Sequence, residues 1–330
     1  MRVRLDPIDE YTHELGPEPT FNESMYFNLY DAKADWGGFF RIGNRPNEGT
    51  GEMTVCLYLP DGRVAFMFQR PEVRDNSAFN SAGLRFDVVE PFEHLTVTYR
   101  GKVVVLDDPL VLRDPRVAFR EHPWVDAEAQ LTFMRVSDMF GGEPEVSDER
   151  EGEEFAKGHY EQLVRGTGTV RVGEHTWTVD GHGLRDHSWG PRTWQAPWYY
   201  RWLTANIGPD AGFMLSRIAR PDRDGSRNGF VWDEGRLWLC DQATIATEWD
   251  TDHHQRRITA TLGSSHHGGR TWTIEGEVLR VVPLRNRRDG RVTRIAEGLT
   301  RWTLDGTRVG YGWSEYLDQI VDDVPVGLAE

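Results

Sequence analysis

Cysteine is nearly absent: the 330 residues hold only Cys56 and Cys240. Both sit in apolar runs, Thr54-Val55-Cys56-Leu57-Tyr58 and Leu237-Trp238-Leu239-Cys240, and read as small buried hydrophobes. That excludes a disulfide framework and a cysteine-based zinc site, and neither residue carries the local signature of a catalytic thiol. Long apolar runs are missing as well. Mean hydropathy is −0.59, and no stretch reaches the ~18 consecutive apolar residues that a membrane helix needs. The opening Met1-Arg2-Val3-Arg4-Leu5-Asp6-Pro7 lacks the apolar centre of a secretory signal, so a cytoplasmic protein with no membrane span is expected. Positive charge is short: 38 Lys and Arg face 53 Asp and Glu, a net charge of −15. Such a chain repels phosphate backbones, and nucleic acid is not an expected partner. Its densest basic stretch, 285–291, closes on Asp289-Gly290, the tip of a hairpin. Gly166-x-Gly168 opens a β-run rather than a helix, and no Gly-x-Ser-x-Gly elbow occurs. No nucleotide cofactor and no serine-hydrolase chemistry are therefore expected.

What is present is strand. Segments such as Leu95-Thr96-Val97-Thr98-Tyr99, Thr176-Trp177-Thr178-Val179 and Arg301-Trp302-Thr303-Leu304 alternate with period two, and no long stretch keeps a helical period. They are punctuated by Asp61-Gly62, Arg100-Gly101, Asp180-Gly181, Asp224-Gly225, Glu234-Gly235, Asp289-Gly290 and Asp305-Gly306. Short strands broken by such pairs predict meandering antiparallel sheets, hence an all-β fold of two barrels or sandwiches for a chain of this length. The charged segment 148–157 is the expected boundary, as a linker or a short solvated helix, giving domains 1–156 and 157–330. Of 13 Trp, only Trp36 and Trp124 precede it. The first domain is accordingly expected to be mainly structural and the second to present an aromatic cavity.

Between Gly181 and Trp202 the chain crowds four Trp, two Tyr, two His, three Arg and Asp186. On a strand, Arg185, His187 and Trp189 share one face and Leu184, Asp186 and Ser188 the other; Trp198, Tyr200 and Trp202 likewise share a face. An imidazole beside a cation in an apolar barrel favours its neutral form, which suits a general base or hydrogen-bond donor. The same residues also read as a structural corner, with Arg-Asp tying a strand end to a loop before the Trp189-Gly190-Pro191 bulge. Asp186 acts on the side of His187 only if a bulge re-aims it.

Elsewhere, His253-His254 and His266-His267 flank a short strand, where neighbours point to opposite faces and make poor joint ligands. His175, His182 and His187 have no supporting carboxylate or thiolate spacing, so no metal is expected. Gly310-Tyr311-Gly312-Trp313-Ser314-Glu315-Tyr316 predicts a closing strand with Tyr311, Trp313 and Glu315 on one face and glycines admitting another backbone on the other. Glu315 is either catalytic or the partner of an arginine such as Arg185 or Arg192.

His159-Tyr160-Glu161-Gln162, then Gly181-x-Gly183-x-Arg185-Asp186-His187-Ser188-Trp189-Gly190-Pro191-Arg192, then the Gly310–Tyr316 strand, together resemble the carotenoid 1,2-hydratase and AttH-like group. The resemblance is strongest over 157–320, and segments 39–47 and 56–62 fit relatives of that group. It implies two tandem lipocalin-like antiparallel barrels. That architecture serves hydratases, pericyclic cyclases and lipid-associated proteins alike. The hydratases' active-site His-x-Trp pair maps onto His187 and Trp189. Their Tyr-x-Asp pair on the following strand has no counterpart, since 212–216 carries no carboxylate, so another acid such as Glu161 or Glu315 is required.

Two function classes follow. One is a cofactor-independent enzyme, a hydratase, dehydratase, isomerase or cyclase, acting on an apolar terpenoid- or polyketide-like molecule. Its candidate catalytic residues are His187, Asp186, Glu161 and Glu315. Arg185, Trp189, Arg192, Trp194, Trp198, Tyr200, Trp202, Tyr311 and Trp313 would line the substrate, the indoles stabilising developing positive charge. The other is a carrier in which the same aromatics hold a lipid and the polar motif is structural. In both, the partner is an apolar small molecule and no cofactor is needed.

Overall fold

The computed structural model describes residues 3–145, 155–266 and 269–329. The chain is all-β. Helix is limited among the described residues to short turns, the longest being α1, Pro115–Glu121. Two compact units emerge, one of 1–111 with 115–193, the other of 112–114 with 194–330.

The first unit is an up-and-down barrel of eight antiparallel strands: β1 (Phe21–Asp31), β2 (Trp36–Arg45), β3 (Thr50–Tyr58), β4 (Val64–Gln69), β5 (His94–Leu106), β6 (Trp124–Arg135), β7 (Gly158–Val172) and β8 (His175–Pro191). Each pairs with the next, and β8 returns to pair with β1, which closes the ring. Closure leaves no free edge within the ring. Alternation fills the interior: Met25, Phe27 and Leu29 of β1 meet Phe40, Ile42, Met53, Val55, Leu131, Phe133 and Val164 in one apolar core. A small hairpin strand, Leu84–Glu90, extends the sheet along β5.

The division between units falls between Thr193 and Trp194 rather than at 156/157. The reason is topological. β7 and β8 are the strands that join β6 to β1, so the barrel is not complete before Pro191. The charge run at 148–157 lies between two strands of this same unit, Phe140–Pro144 and β7. Most of that run falls outside the described residues.

The second unit is a sheet of β9 (Tyr199–Asn206), β10 (Ala211–Arg220), β11 (Arg223–Asp233), β12 (Arg236–Cys240), β13 (Gln242–Trp249), β14 (Gln255–Ser264), β15 (Arg270–Arg288), β16 (Arg291–Leu304) and β17 (Arg308–Val321). Their spatial order is β12-β11-β10-β9-β17-β16-β15-β14-β13. The two outermost strands are successive in the chain and joined by Asp241 alone, so the sheet curls round a core that includes Phe213, Trp272, Trp302 and Tyr316.

Four of the seven turn pairs close turns: Asp61-Gly62, Glu234-Gly235, Asp289-Gly290 and Asp305-Gly306. Arg100-Gly101, Asp180-Gly181 and Asp224-Gly225 lie inside strands. At Gly181 the glycine serves packing instead, because a Cβ there would sit 2.6 Å from the Tyr30 carbonyl oxygen. Both cysteines are buried and neither is in a disulfide.

Candidate active site

The motif lies on the β7–β8 pair, where Gly158 faces Trp189, Tyr160 faces His187, Glu161 faces Asp186 and Gln162 faces Arg185. Pleating sorts it into two faces, as the alternation predicts. His187 is also opposite Met25 and Arg185 opposite Phe27, so Tyr160, Gln162, Arg185, His187 and Trp189 point into the barrel. His159, Glu161, Asp186 and Ser188 point out of it. His182 has the parity of the outer face and does not converge with His187.

The inner face is a sealed ionic network at one end of the apolar core. The 3-10 turn Pro7–Glu10 and the residues after it bring Asp9, Glu10 and His13 to it. Arg185 grips Glu10 with both terminal nitrogens, at 2.6 and 2.8 Å, and donates from Nε to Gln162 at 2.9 Å. The Tyr160 hydroxyl donates to Glu10 Oε1 at 2.6 Å. His187 Nδ1 lies 3.0 Å from that same hydroxyl, and its Nε2 lies 2.7 Å from Glu23 Oε1. His13 Nδ1 is also 2.7 Å from Glu23 Oε1, and its Nε2 is 3.3 Å from Asp9. Burial alone would raise the Glu23 carboxyl, but hydrogen bonds from His13 and His187 outweigh it and bring the pKa down to about 2. Glu10 is held below its ordinary value against burial by Arg185 and Tyr160. His13 is raised, since Glu23 and Asp9 overcome desolvation.

Proton counting then fixes the bonds. The Tyr160 hydroxyl spends its proton on Glu10, so His187 Nδ1 must donate to it. Ionised Glu23 can only accept, so Nε2 donates too. The carboxylates Asp9, Glu10 and Glu23 thus meet Arg4, His13, Arg185 and His187. Trp189 closes it, its indole stacked on His13 at 4.1 Å and laid over Gly158, where a Cβ would come within 2.2 Å of the ring. His187 and Arg185 have fully buried side chains, so neither is open to a substrate in this arrangement.

The outer face holds a different group. His159 has a side chain 44% exposed, with Nε2 3.6 Å from Glu161 Oε1 and 3.8 Å from Asp186 Oδ2. Burial of the site disfavours the charged imidazole, but the nearby carboxylates of Asp186 and Glu161 prevail and raise the His159 pKa. Ser188 Oγ meets Ser24 Oγ at 3.0 Å, and Arg192 Nη1 reaches both, at 3.0 and 3.3 Å. The Arg192 guanidinium also lies 4.2 Å over Phe155. Asp186 and Glu161, both chosen from sequence, thus stand together, without a bulge and apart from His187. The residue that joins them, His159, was missed. Its signal was available: in His159-x-Glu161 the pleat sets both side chains on the face that an antiparallel neighbour gives to Asp186.

The remaining sequence candidates belong to the second unit. Tyr200 and Trp202 share a face of β9, as expected. Glu315 faces Trp202 and accepts a hydrogen bond from the Tyr200 hydroxyl. Trp313 is fully buried, Tyr311 half-buried, and Trp194 and Trp198 half-buried before β9. Gly312, opposite the Glu315 face, lets the Thr204 carbonyl approach to within 1.9 Å of where a Cβ would stand. A polar cleft of about 300 Å³ opens where β12 gives way to β13, lined by Arg227, Asp241, Gln242, Thr244, Thr261 and Thr271. It contains none of the expected site residues.

No curated protein sequence matches the chain significantly. Among solved structures, the fold is similar to that of a protein provisionally assigned as AttH from Nitrosomonas europaea, with TM-score 0.57, 14% identity and 96% of each chain covered. It is similar to CghA determined with Sch210972, with TM-score 0.57, 12% identity, and 98% of this chain and 97% of that one covered. It is also similar to kievitone hydratase from Nectria haematococca, with TM-score 0.59, 7% identity, and 97% and 94% covered. At these identities the likeness is one of fold, in keeping with the resemblance drawn from the motif. The profile of one sequence family spans residues 6–320, nearly the whole chain, and the protein is a member of that family, the domain of unknown function DUF7064.

Proposed function

We propose that the chain is a cofactor-independent enzyme of the hydratase, dehydratase, isomerase or cyclase kind, acting on an apolar terpenoid- or polyketide-like molecule, with His159 as its proton donor. The observation that carries this reading is the accessible His159 imidazole backed by two carboxylates. An imidazole whose charged form is favoured by neighbouring carboxylates and that is open to solvent is suited to act as a general acid. With Nε2 turned to Glu161 and Asp186, Nδ1 is the atom offered to a substrate. In the hydratase form, the Nδ1 proton adds to a carbon–carbon double bond, whose π electrons form the new C–H bond. Water then attacks the cationic carbon, and the proton it sheds returns to Nδ1. That proton restores the imidazolium, and the carboxylates stabilise the cation. A structural neighbour named as a hydratase supports the choice of reaction class.

Incubating the protein with alkene-bearing terpenoids, prenylated phenols and polyketides in ¹⁸O-water tests this by mass spectrometry. Label should enter one of these substrates, and His159→Ala should lower turnover by about 10²–10⁴. Turnover equal to wild type in that variant would remove His159 from the reaction. A carrier is the second reading, favoured by the complete internal satisfaction of Arg185 and His187. It requires tight binding of an apolar molecule with no label uptake.

A further inference from the structure

We infer that His13, Glu23 and His187 form a site for one divalent transition ion of the Zn²⁺ type, which fastens the N-terminal segment to the barrel. The three residues lie ten and 164 positions apart, so no sequence spacing announces them, and none was expected. In space their ligand atoms all fall within 4.8 Å of one another. Two imidazoles and a carboxylate are a common ligand set for Zn²⁺, with a fourth position left for water. Here Glu23 Oε1 is 2.7 Å from both His13 Nδ1 and His187 Nε2. A tetrahedral site with bonds near 2 Å sets ligand atoms about 3.3 Å apart, so the two Glu23 contacts have to widen by only about half an ångström.

Two features beyond the triad fit an ion. The nitrogens not facing Glu23 are already held, His13 Nε2 by Asp9 at 3.3 Å and His187 Nδ1 by the Tyr160 hydroxyl at 3.0 Å. Each ring is thereby fixed with its proton on the far nitrogen, the tautomer that ligation demands. Glu23 Oε2 is held in turn by the His13 amide at 2.9 Å and by Asn76 Nδ2 at 2.6 Å. Any proton held on His13 Nδ1 or His187 Nε2 leaves as the ion enters, so binding strengthens as pH rises. His13, with a side chain 19% exposed, is the side from which an ion enters.

The test uses the full chain stripped with a chelator and titrated with Zn²⁺ by calorimetry in buffers of differing ionisation enthalpy, with Co²⁺ as a visible probe. About one ion per chain is expected, with proton release, a higher melting temperature, and Co²⁺ bands of a low-symmetry nitrogen and oxygen site. His13→Ala should weaken binding at least about tenfold. His254→Ala, which breaks the other His and carboxylate group, Asp250, Asp252 and His254, should leave it unchanged. If His13→Ala fails to fold by circular dichroism, Glu23→Gln keeps the shape and removes the charge, and it should weaken binding equally. Absence of Zn²⁺ binding, full affinity in the folded His13 or Glu23 variant, or loss with His254→Ala overturns the site.

Discussion

Tyr160 and His187 stand opposite each other on β7 and β8, and the tyrosine hydroxyl takes a hydrogen bond from His187 while giving one to Glu10. This single oxygen links the barrel wall to the N-terminal segment. Tyr160→Phe removes it without changing shape, leaving a buried donor and a buried acceptor each short of a partner. The cost is expected at about 1–3 kcal/mol, measured as a lower urea midpoint with unchanged slope. An unchanged midpoint would mean that the hydroxyl is replaceable by water.

Arg185 and Glu10 are both fully buried. Removing one partner strands the other's charge, so Arg185→Met is expected to cost about 3–5 kcal/mol. Glu10→Gln in the same chain should recover a large part of it. A double-mutant cycle reads the coupling, and simple additivity of the two substitutions would show that the pair acts independently.

Gly158 carries the Trp189 indole. Gly158→Val forces the ring off His13 and is expected to destabilise by about 1–3 kcal/mol through overpacking. It should also change the tryptophan emission of the folded protein. An unshifted spectrum together with an unshifted melt would place the indole elsewhere.

The raised pKa of His159 has a definite sign. Its charged form is favoured by folding, so the stabilisation is fully present below the unfolded value near 6.5 and is lost as pH rises through the folded value. Stability should therefore fall as pH rises above the unfolded value, and the part of the fall that His159 contributes should disappear in His159→Gln. NMR titration should find the imidazole above 6.5 in the wild type and lower in Asp186→Asn. A titration at or below the unfolded value would contradict the carboxylate contacts.

Much of this was legible in sequence because strand periodicity is local. The all-β class, the split of 184–189 into two faces and the hairpin at Asp289-Gly290 all follow from neighbours along the chain. The unit boundary did not, because it depends on β8 closing on β1, a pairing that joins Ser24 to Ser188. The charge run at 148–157 signals solvent, which a connection inside a unit meets as readily as one between units. The burial of His187 was hidden for the same reason. Its sealing partners, Glu10, His13 and Glu23, come from a segment whose composition resembles any polar N-terminus, and only the fold carries them to it.

The seam between β1 and β8 also bears on synthesis. As the ribosome releases the chain in order, β1 emerges early and waits for a partner nearly the length of the unit away. Until about residue 191 is free, β1 can pair with β2 but its other edge stays open, and Glu10 lacks the Arg185 that neutralises it. Non-local closure of this kind is slow and exposes sticky edges. Mutations that weaken β8 should therefore prolong the life of that open edge and reduce yield in the cell well before they reduce the stability of the finished protein.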